Sequence, residues 1–590
     1  MGQQIIKMVL EDFMKRLFFL LSAFVLAFMF VACDSGNTGD FKIKLKLPID
    51  YDMVCGDYGN DEEHDYTYCI NSDDQIQLSI YSKSEAKDEY LYTDSTLIDV
   101  NDAGNNNGGK TEFIRSLKKG TYYRFFVEVT NSNEKLKLTG GIEGVYYDDT
   151  KNYDVDIFLA PAGDFARVVA DRSNGGAEYK SLESYLDDRG SKGAVAVALK
   201  DSRIFMAGGY DFEEDEISKK AAIFNLKSLS KDSAKSLSIP LYDHVAALID
   251  DGSETGKVVI GLGSTDGGLN DALWIYDPAG NKYEPLTSFV AGMTKAKAIT
   301  IDGDVYIVGG CTETGASNVV YKISADENGR ISADNFATLK AGRCNHAVAD
   351  FSTVDENGNK TVRILVVGGS SDKKEGGETP VASENFAEIV TQGSSKAVEI
   401  VDRNGGDDAE LKKTGLISPA AVGILMDDKE ESEMIAAVIG GYIRNVDDSD
   451  DATYISNPRL FVFSEEGDKI VYDANSTPNE CARPSAALLG TEEKNIIKYV
   501  AVNCGTKEIG RSKTDASDQI VFTLQVKRVK NSDLGREVFS SSVKDTLMDG
   551  NKDQDSGSKI VDGPVAVDAL GQVFMLGGKY VYQVGSYAIP

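Results

Sequence analysis

The chain has 590 residues, a length that favours more than one domain. Lys and Arg number 62 against 94 Asp and Glu, and the net charge of -32 argues against binding to nucleic-acid phosphates, which requires a basic face. With only 3 His, the composition favours neither a histidine-based metal site nor a cofactor. The 57 Gly, 27 Tyr and 24 Phe beside only 12 Pro favour an all-β fold of short strands and tight turns.

The N-terminus has the pattern of an export signal. Lys15 and Arg16 precede an unbroken apolar run over residues 17–32. This run is shorter than the roughly 20 residues that a membrane-spanning helix needs, so a secretory signal peptide is the preferred interpretation and an N-terminal anchor helix is the alternative. Met14 is a better start than Met1, because it places Met-Lys-Arg directly before the apolar run.

Residues 30–33, Phe-Val-Ala-Cys, resemble the lipobox of bacterial lipoproteins, with Phe30 in place of the usual Leu. The resemblance implies cleavage before Cys33, attachment of lipid to this cysteine, and a location in the bacterial cell envelope. We therefore expect a signal peptide over 1–33 and a polar tether over 34–39. The membrane remains open between the outer membrane or cell surface and the periplasmic face of the inner membrane.

Residues 40–163 alternate between apolar and polar side chains, which is the pattern of half-buried strands. The clearest examples are FKIKLKL (41–47), QIQLSIY (75–81), TYYRFFVEV (121–129) and VDIFLA (155–160). About seven such runs in this region predict a β-sandwich domain. The phrase LKKGTYYRFFVEV (117–129) resembles the Ig-like or transthyretin-like modules of exported proteins.

Residues 164–590 contain an internal repeat with a period near fifty residues. Aliphatic strands that end in two small residues recur as IFMAGG (204–209), VVIGLG (258–263), VYIVGG (305–310), ILVVGG (364–369), AAVIGG (436–441), VAVNCG (500–505) and VFMLGG (573–578). An Ala-rich strand precedes each of them: GAVAVAL (193–199), HVAALID (244–250), AKAITID (296–302), NHAVADF (345–351), PAAVGIL (419–425), PSAALLG (484–490) and PVAVDAL (564–570). An aromatic third strand follows several repeats, as in LWIYD (273–277), NVVYKI (318–323), AVEIVD (397–402), LFVF (460–463) and YVYQVG (580–585).

This repeat resembles the kelch β-propeller, and the fullest match is WIYDPAGNKYEPLTSFVAGMTKAKAITIDGDVYIVGG (274–310). Tyr283 replaces the expected Trp, and Leu262 and Cys504 each interrupt a diglycine. The resemblance implies a propeller of seven blades, with six or eight as alternatives. Small side chains on the innermost strands then have a physical reason, because the blades converge on a common axis.

The last repeat lacks a fourth strand. A segment before the first blade, FARVVA (165–170) or EYKSLESY (178–185), is the candidate for completing it and closing the ring. Such closure removes two exposed strand edges.

Six cysteines follow Cys33, an even number that favours disulfides in an exported chain. Proximity in sequence predicts the pairs Cys55–Cys69, Cys311–Cys344 and Cys481–Cys504, with buried free thiols as the alternative. In a propeller the last two pairs would stiffen one face. No spacing suits a structural zinc site.

The kelch resemblance also suggests where a ligand would bind. Galactose oxidase, a kelch enzyme, holds copper through two Tyr and two His, whereas His244 and His346 stand at inner-strand starts that favour a structural role. Kelch-type sialic-acid epimerases use charged side chains in a central pocket. We therefore take four residues as candidates for ligand binding, two Arg at inner-strand starts and two Tyr directly after a diglycine: Arg343, Arg483, Tyr210 and Tyr442.

Acidic loops offer no formal metal site. Residues 549–557, DGNKDQDSG, begin like an EF-hand but have Gln554 and Ile560 where that motif needs Gly and Glu. Insertions at 370–396 and 442–458 are expected to serve recognition, because loops on a rigid scaffold commonly do. The expected function is non-catalytic binding of a protein or glycan by a membrane-anchored propeller; the alternatives are a carbohydrate-active enzyme with an axial pocket and a structural envelope component.

Overall fold

The structure is a computed structural model that describes most of the chain after residue 37. The described residues are 38–47, 70, 73–85, 89–98, 111–133, 135–148, 154–172, 179–186, 191–211, 214–288, 292–355, 357–372, 379–403, 416–427, 432–445, 453–467, 469–481, 483–491, 497–504, 521–531, 536–544 and 563–588. The predicted signal peptide, Cys33, the Cys55–Cys69 pair and the acidic loop 549–557 lie outside them. The described residues contain no α-helix, only a short 3-10 helix at Ser383–Asn385, and hence no helix suited to crossing a membrane.

The N-terminal region forms two sheets whose strands match the alternating segments of the sequence. Its strands are β1 (Thr38–Lys46), β2 (Gln75–Lys83), β3 (Leu91–Ile98), β4 (Thr111–Lys118), β5 (Thr121–Thr130), β6 (Leu136–Tyr147), β7 (Asp154–Phe158) and β8 (Ala160–Pro161). The sheet orders are β4-β1-β7 and β3-β2-β5-β6-β8. Apolar residues of both sheets, such as Phe41, Leu78 and Phe125, belong to one buried cluster, so the alternation in sequence does mark an inner and an outer face.

The repeat region supplies all the remaining strands. The first part contains β9 (Phe165–Arg167), β10 (Val169–Arg172), β11 (Tyr179–Ser181), β12 (Ser191–Lys192), β13 (Val195–Ala198), β14 (Arg203–Ala207), β15 (Tyr210–Asp211), β16 (Glu216–Ile217), β17 (Ala221–Asn225), β18 (Ser230–Ser233), β19 (Val245–Ile249), β20 (Lys257–Gly261), β21 (Ser264–Thr265), β22 (Gly268–Leu269), β23 (Ala272–Asp277) and β24 (Lys282–Ser288). The middle part contains β25 (Lys297–Ile301), β26 (Asp304–Val308), β27 (Val319–Ala325), β28 (Ile331–Thr338), β29 (Ala347–Asp350), β30 (Thr353–Val354), β31 (Lys360–Thr361), β32 (Ile364–Val367), β33 (Ala387–Thr391), β34 (Ser394–Ala397) and β35 (Glu399–Asp402). The last part contains β36 (Ala420–Asp427), β37 (Ser432–Ile439), β38 (Tyr442–Asn445), β39 (Thr453–Glu466), β40 (Lys469–Cys481), β41 (Ser485–Leu488), β42 (Ile497–Asn503), β43 (Val521–Asn531), β44 (Arg536–Lys544), β45 (Val565–Val567), β46 (Val573–Met575) and β47 (Tyr582–Val584).

These strands build a succession of antiparallel sheets that repeat one pattern. In the described part of the chain, sheets 1 to 7 have the orders β13-β14-β17-β18, β19-β20-β23-β24, β25-β26-β27-β28, β29-β32-β33-β34, β36-β37-β39-β40, β41-β42-β43-β44 and β45-β46-β47-β9. Sheet 5 also carries β35 and β38. The first strand of each sheet is an Ala-rich segment, and the first strands contact one another in order, with the seventh against the first. The arrangement is a propeller-like ring in which the Ala-rich strands lie innermost, as predicted.

The ring is closed by an N-terminal strand. β9 pairs antiparallel with β47, so that Phe165 faces Val584 and Arg167 faces Tyr582. Of the two candidate segments, FARVVA supplies the fourth strand of sheet 7. The closure hypothesis is confirmed, because β9 covers the edge of β47 that would otherwise be exposed.

Sheet 4 differs from the sequence-based prediction. Its third strand is β33, within the segment 370–396 that was predicted to be a recognition insertion. The predicted third strand, residues 397–402, is instead β35, which pairs in parallel with β40 of sheet 5. The prediction was wrong here because Glu388, a charged residue that is buried, interrupts the apolar residues of 386–390, Phe-Ala-Glu-Ile-Val. The segment therefore does not have the apolar pattern expected of a buried strand.

The ring has two faces. The diglycine face carries the starts of the first strands and the ends of the second strands, whereas the turn face carries the hairpins that join first to second strands. The N-terminal sheets pack on the turn face, where Glu143 N donates to Ser202 Oγ at 2.6 Å and Gly141 N donates to Gln572 Oε1 at 2.9 Å. Their cores merge there too, since one buried cluster includes Phe125 of β5 and Phe224 of β17.

Candidate functional site

The diglycines join neighbouring sheets on the diglycine face. In five sheets the second small residue donates its N–H to a carbonyl just before the next sheet: Gly209 to Leu241 (2.8 Å), Gly263 to Met293 (2.6 Å), Gly310 to Arg343 (2.8 Å), Gly369 to Leu416 (2.8 Å) and Gly441 to Cys481 (2.7 Å). The first residue of a diglycine must also be small, because the backbone of the next sheet approaches it closely. A Cβ at Gly309, whose φ is +58°, would lie 2.3 Å from the carbonyl oxygen of Arg343.

Both propeller histidines pack into this joint. His244 and His346 are buried, and a Cβ at Gly208 or Gly309 would lie 2.6 or 3.0 Å from the Cε1 atom of His244 or His346, respectively. Burial lowers the pKa of His244 to about 4, although Asp243 opposes the shift. Burial, together with the charges of Arg343 and Lys297, also lowers the pKa of His346. Both rings are therefore neutral near pH 7 and pack between sheets, which agrees with the structural role predicted for them.

Arg343 lies inside the protein. Its side chain is 0% exposed and forms an ion pair with Glu388 of β33. The guanidinium also donates to the carbonyls of Gly368 (3.1 Å) and Asn385 (2.7 Å). Its charge and hydrogen bonds are thus used to join sheets 3 and 4, and we remove Arg343 from the candidate ligand-binding residues.

Two of the predicted cysteine pairs lie at disulfide distance on this face. The Cα atoms of Cys311 and Cys344 are 5.2 Å apart, and those of Cys481 and Cys504 are 4.6 Å apart. The first pair crosses from the end of sheet 3 to the start of sheet 4. Together with the diglycine hydrogen bonds, it ties adjacent sheets to each other at their inner ends.

The two candidate tyrosines differ in exposure. Tyr442 is 0% exposed and exchanges backbone hydrogen bonds with Ile417, so its ring does not face solvent. Tyr210 is partly exposed, donates a hydrogen bond to Asp215, and lies with its ring centroid 6.1 Å from that of Tyr242. Its hydrogen bond to Asp215, with burial as a smaller cause, raises the pKa of Tyr210 to about 12.

The residues two positions before the first strands of sheets 1 to 5 form a second joint on the diglycine face. Backbone N–H groups donate from one sheet to the previous one: Asp243 to Gly193 (3.0 Å), Lys295 to Asp243 (3.0 Å), Asn345 to Lys295 (3.2 Å) and Ser418 to Asn345 (2.7 Å). All five residues have left-handed φ angles between 45° and 70°: Gly193 65°, Asp243 48°, Lys295 55°, Asn345 51° and Ser418 55°. We call these five residues the mouth ring. Such conformations cost non-glycine residues about 1–3 kcal/mol each and are commonly found at functional sites.

Cations converge on the one acidic member of the mouth ring. Burial by itself would raise the pKa of Asp243, but Lys192, Lys295, Arg483 and Lys297 outweigh it and hold that pKa below its ordinary value. Arg483 precedes sheet 6 and Lys192 precedes sheet 1, so both sides of the ring contribute. Closure of the ring brings together residues almost 300 positions apart in sequence.

Tyr210 lies beside this cluster. It pairs with Lys192 across β12 and β15, and Tyr242, its ring neighbour, directly precedes Asp243. Of the four predicted ligand-binding residues, the structure therefore brings Arg483 and Tyr210 to the mouth ring and places Arg343 and Tyr442 in the interior.

Most of this site was missed from the sequence. Lys192, Asp243, Lys295, Lys297 and Asn345 were not among the predicted residues. The signal was present, because all five stand near the start of an Ala-rich strand, and Asp243, Lys295 and Asn345 each stand two residues before it, at an equivalent position of the repeat. Aligning the repeats on those strands, and not on the diglycines, would have lined the residues up.

Within the described residues, no group of three or more His, Cys, Asp or Glu is placed to hold a metal ion. Neither a protein-family model nor a curated protein sequence matches the chain. Among solved structures the chain is similar to YjhT, with 11% sequence identity and a TM-score of 0.38 over 62% of this chain and 99% of that one. The function is therefore argued from the geometry of the mouth ring and its surroundings.

Proposed function

We propose that this protein is a lipid-anchored component of the bacterial cell envelope whose propeller is a non-catalytic binding module for a glycan or protein. In this proposal residues 1–33 are a signal peptide that ends at the lipidated Cys33, and 34–39 are a tether. Residues 40–163 form a β-sandwich, and 164–590 form a kelch-like propeller with seven blades. Sheets 1 to 7 are those blades.

The convergence of charged and aromatic side chains on the mouth ring carries the proposal. Asp243, Lys295 and Arg483 come from three different sheets, and Tyr210 and Tyr242 lie beside them. Cationic and aromatic groups together suit the carboxylates, hydroxyl groups and sugar faces of a glycan, or acidic side chains of a protein. The hydrogen bonds of the mouth ring hold this surface rigid, which lowers the entropic cost of binding.

The position of the N-terminal sheets favours the same face. They pack on the turn face, and the tether enters the protein through them, because β1 begins at Thr38, close to Cys33 in sequence. An anchor on that side leaves the diglycine face directed away from the membrane. We therefore propose that the mouth ring is presented to ligands outside the lipid surface.

A glycan and protein array probed with the full-length protein in detergent tests the binding role. We expect Arg483→Gln to lose the binding that the parent protein shows. Lys220→Gln is the matched control, because Lys220 is an exposed cation at the start of β17, apart from the Asp243 cluster. Equal binding by the parent protein and Arg483→Gln would reject the mouth ring as the binding site.

The lipid anchor is tested separately. We expect Cys33→Ser to move the protein from the membrane fraction to the aqueous fraction in a detergent phase separation, because a lipid chain no longer holds it. A Cys33→Ser protein that partitions like the parent would contradict lipidation at this residue. Protease treatment of intact cells then distinguishes a surface location from a periplasmic one.

One observation favours the carbohydrate-active enzyme as the second candidate. Desolvation lowers the pKa of Lys297, and Asp243 only partly offsets the shift. A lysine with a lowered pKa next to the axis has the properties of a proton acceptor. Turnover of an array-identified glycan that is lost in Lys297→Gln while binding persists would establish the enzyme; binding without turnover would exclude it.

A further inference from the structure

The positive charge around Asp243 restricts the chemical class of ligand that the mouth ring could bind. Lys295 donates its backbone N–H to the Asp243 carbonyl, and Asp243 donates its own to Gly193, which follows Lys192. Lys297 and Arg483 also act on the Asp243 carboxylate, so this group of five side chains has three more positive than negative charges. The whole chain has a net charge of -32, and four cations at one point are therefore contrary to its average composition. An excess of this size interacts more strongly with a dianion than with a single carboxylate.

A buried hydrogen-bond donor without a partner also belongs to the mouth ring. The Nδ2 atom of Asn345 is buried and has no hydrogen-bond partner, and the residue is only 7% exposed. Asn345 precedes sheet 4 as Asp243 precedes sheet 2, has nearly the same φ angle (51° against 48°) and donates its N–H to the previous ring member. Its side chain therefore leaves the mouth ring at a position of the repeat equivalent to that of Asp243. A buried amide without a partner costs about 1–3 kcal/mol, which a bound acceptor would recover.

Resting on the proposed binding function, we infer that the mouth ring binds a doubly charged oxyanion, a phosphate monoester carried by the ligand. Lys295 and Arg483 supply charge from opposite parts of the ring, and Asn345 Nδ2 supplies a neutral donor. Asp243 remains ionised and limits the affinity, because it repels the anion while it holds the cations in place. A sulfate ester has a similar shape but only one negative charge, so it is the matched control for charge.

The test is a titration of the full-length protein in detergent, followed by its thermal unfolding at constant ionic strength. The probes share one sugar ring: glucose 6-phosphate, glucose 6-sulfate, glucuronate with a single carboxylate, and neutral glucose. We expect glucose 6-phosphate to raise the unfolding temperature in a saturable manner, and glucose 6-sulfate and glucuronate, each with a single negative charge, to raise it less. Equal responses to all three anions, or no response to glucose 6-phosphate, would overturn the inference.

Variants make the test specific. Arg483→Gln removes one cation and should weaken binding of the phosphate ester about 10-fold or more, the effect of one charge-assisted hydrogen bond. Asp243→Asn should instead strengthen it several-fold, since it removes the repelling charge while Asn tolerates the left-handed backbone. Lys220→Gln, the control away from the cluster, should leave it unchanged. Weaker binding by Asp243→Asn would contradict the inference, because a purely structural role predicts a loss and never a gain.

The outcome also separates this inference from the broader proposal. If the array identifies a neutral ligand whose binding is lost in Arg483→Gln, while glucose 6-phosphate does not bind, the binding function stands and the oxyanion inference fails. If the array yields no ligand that depends on Arg483, the proposed function fails as well.

Discussion

The two faces of the ring differ in how they use polar groups. On the diglycine face, backbone N–H groups, the Arg343–Glu388 ion pair and the Cys311–Cys344 pair join neighbouring sheets, and the mouth ring still presents charged side chains. On the turn face, polar groups join the ring to the N-terminal sheets and become buried. Gln572, for example, exchanges hydrogen bonds of 2.9 and 3.0 Å with the backbone of Gly141.

This difference shows that rigidity and coverage are separate properties of the propeller. The diglycine face is stiffened from within, by contacts between consecutive sheets, and so it needs no other domain to cover it. The turn face is completed by the N-terminal sheets, whose apolar residues join the same buried cluster as those of sheets 1 and 7. A face that is rigid without a cover is the one suited to ligand binding.

The largest expected effect comes from the buried ion pair on the diglycine face. Glu388→Ala leaves the guanidinium of Arg343 buried without its carboxylate, and loss of one partner of a buried pair costs about 3–5 kcal/mol. Glu465→Ala is the matched variant near the turn face, because its partner Arg363 and Glu465 itself are 15% and 33% exposed. We expect that variant to lose about 1 kcal/mol or less.

Urea unfolding of the three proteins measures this difference. Equal losses of unfolding free energy in Glu388→Ala and Glu465→Ala would show that the buried Arg343–Glu388 pair contributes no more stability than a partly exposed pair. The distinction between the two faces would then lose its strongest support.

Glycine substitutions test the same comparison of the two faces, with smaller expected losses of stability. Gly309 on the diglycine face and Gly393 on the turn face have similar φ angles, +58° and +72°. An added Cβ meets the Arg343 carbonyl oxygen at 2.3 Å in Gly309→Ala but nothing within 4 Å in Gly393→Ala. Both variants carry the left-handed strain of about 1–2 kcal/mol, and only Gly309→Ala adds a steric cost of about 1–3 kcal/mol.

Thermal unfolding of both glycine variants, compared with the parent, gives the steric part as their difference. A Gly309→Ala protein as stable as Gly393→Ala would mean that adjacent sheets separate easily at their inner ends. The mouth ring would then not be held as rigidly as the binding proposal requires.

The smallest expected effect is a change of unfolding free energy per pH unit, caused by a buried carboxyl group on the turn face. Burial raises the pKa of Asp568 to about 7, against hydrogen bonds from Gln572 that lower it. The folded state therefore binds a proton that the unfolded state releases above pH 4, so this residue makes stability fall as pH rises from about 4 to 7. We expect Asp568→Asn to flatten that slope by up to about 1.4 kcal/mol per pH unit.

Unfolding free energies at several pH values test this sign. Asp232→Asn, a change of an exposed carboxylate in β18, is the control and should follow the parent curve. Burial also raises the pKa of Glu143 on the same face, with Arg124 opposing the shift, so Glu143 contributes a slope of the same sign to both proteins. An Asp568→Asn curve with the same slope as the parent curve would contradict the assignment.

Local patterns in the sequence determined much of the architecture. Alternation located β1, β2, β5 and β7, and the Ala-rich segments identified the innermost strands, because crowding at an axis excludes large side chains. The incomplete last repeat led to the closing strand β9. Two cysteine pairs followed from their proximity in sequence. Each of these features depends on neighbouring residues or on a repeated unit, which a sequence displays directly.

Tertiary structure alone decided where the chemistry lies. Arg343 and Arg483 both stand shortly before an Ala-rich strand, but Arg343 lies four residues before β29 and Arg483 only two before β41. Glu388, from a strand that the sequence concealed, pairs with Arg343 in the interior, whereas Arg483 lies at the mouth ring. The cluster around Asp243 joins residues from 192 to 483, and only closure of the ring makes them neighbours. Burial and long-range contact depend on how distant segments pack, and the repeat pattern does not specify which partner each charged side chain will meet.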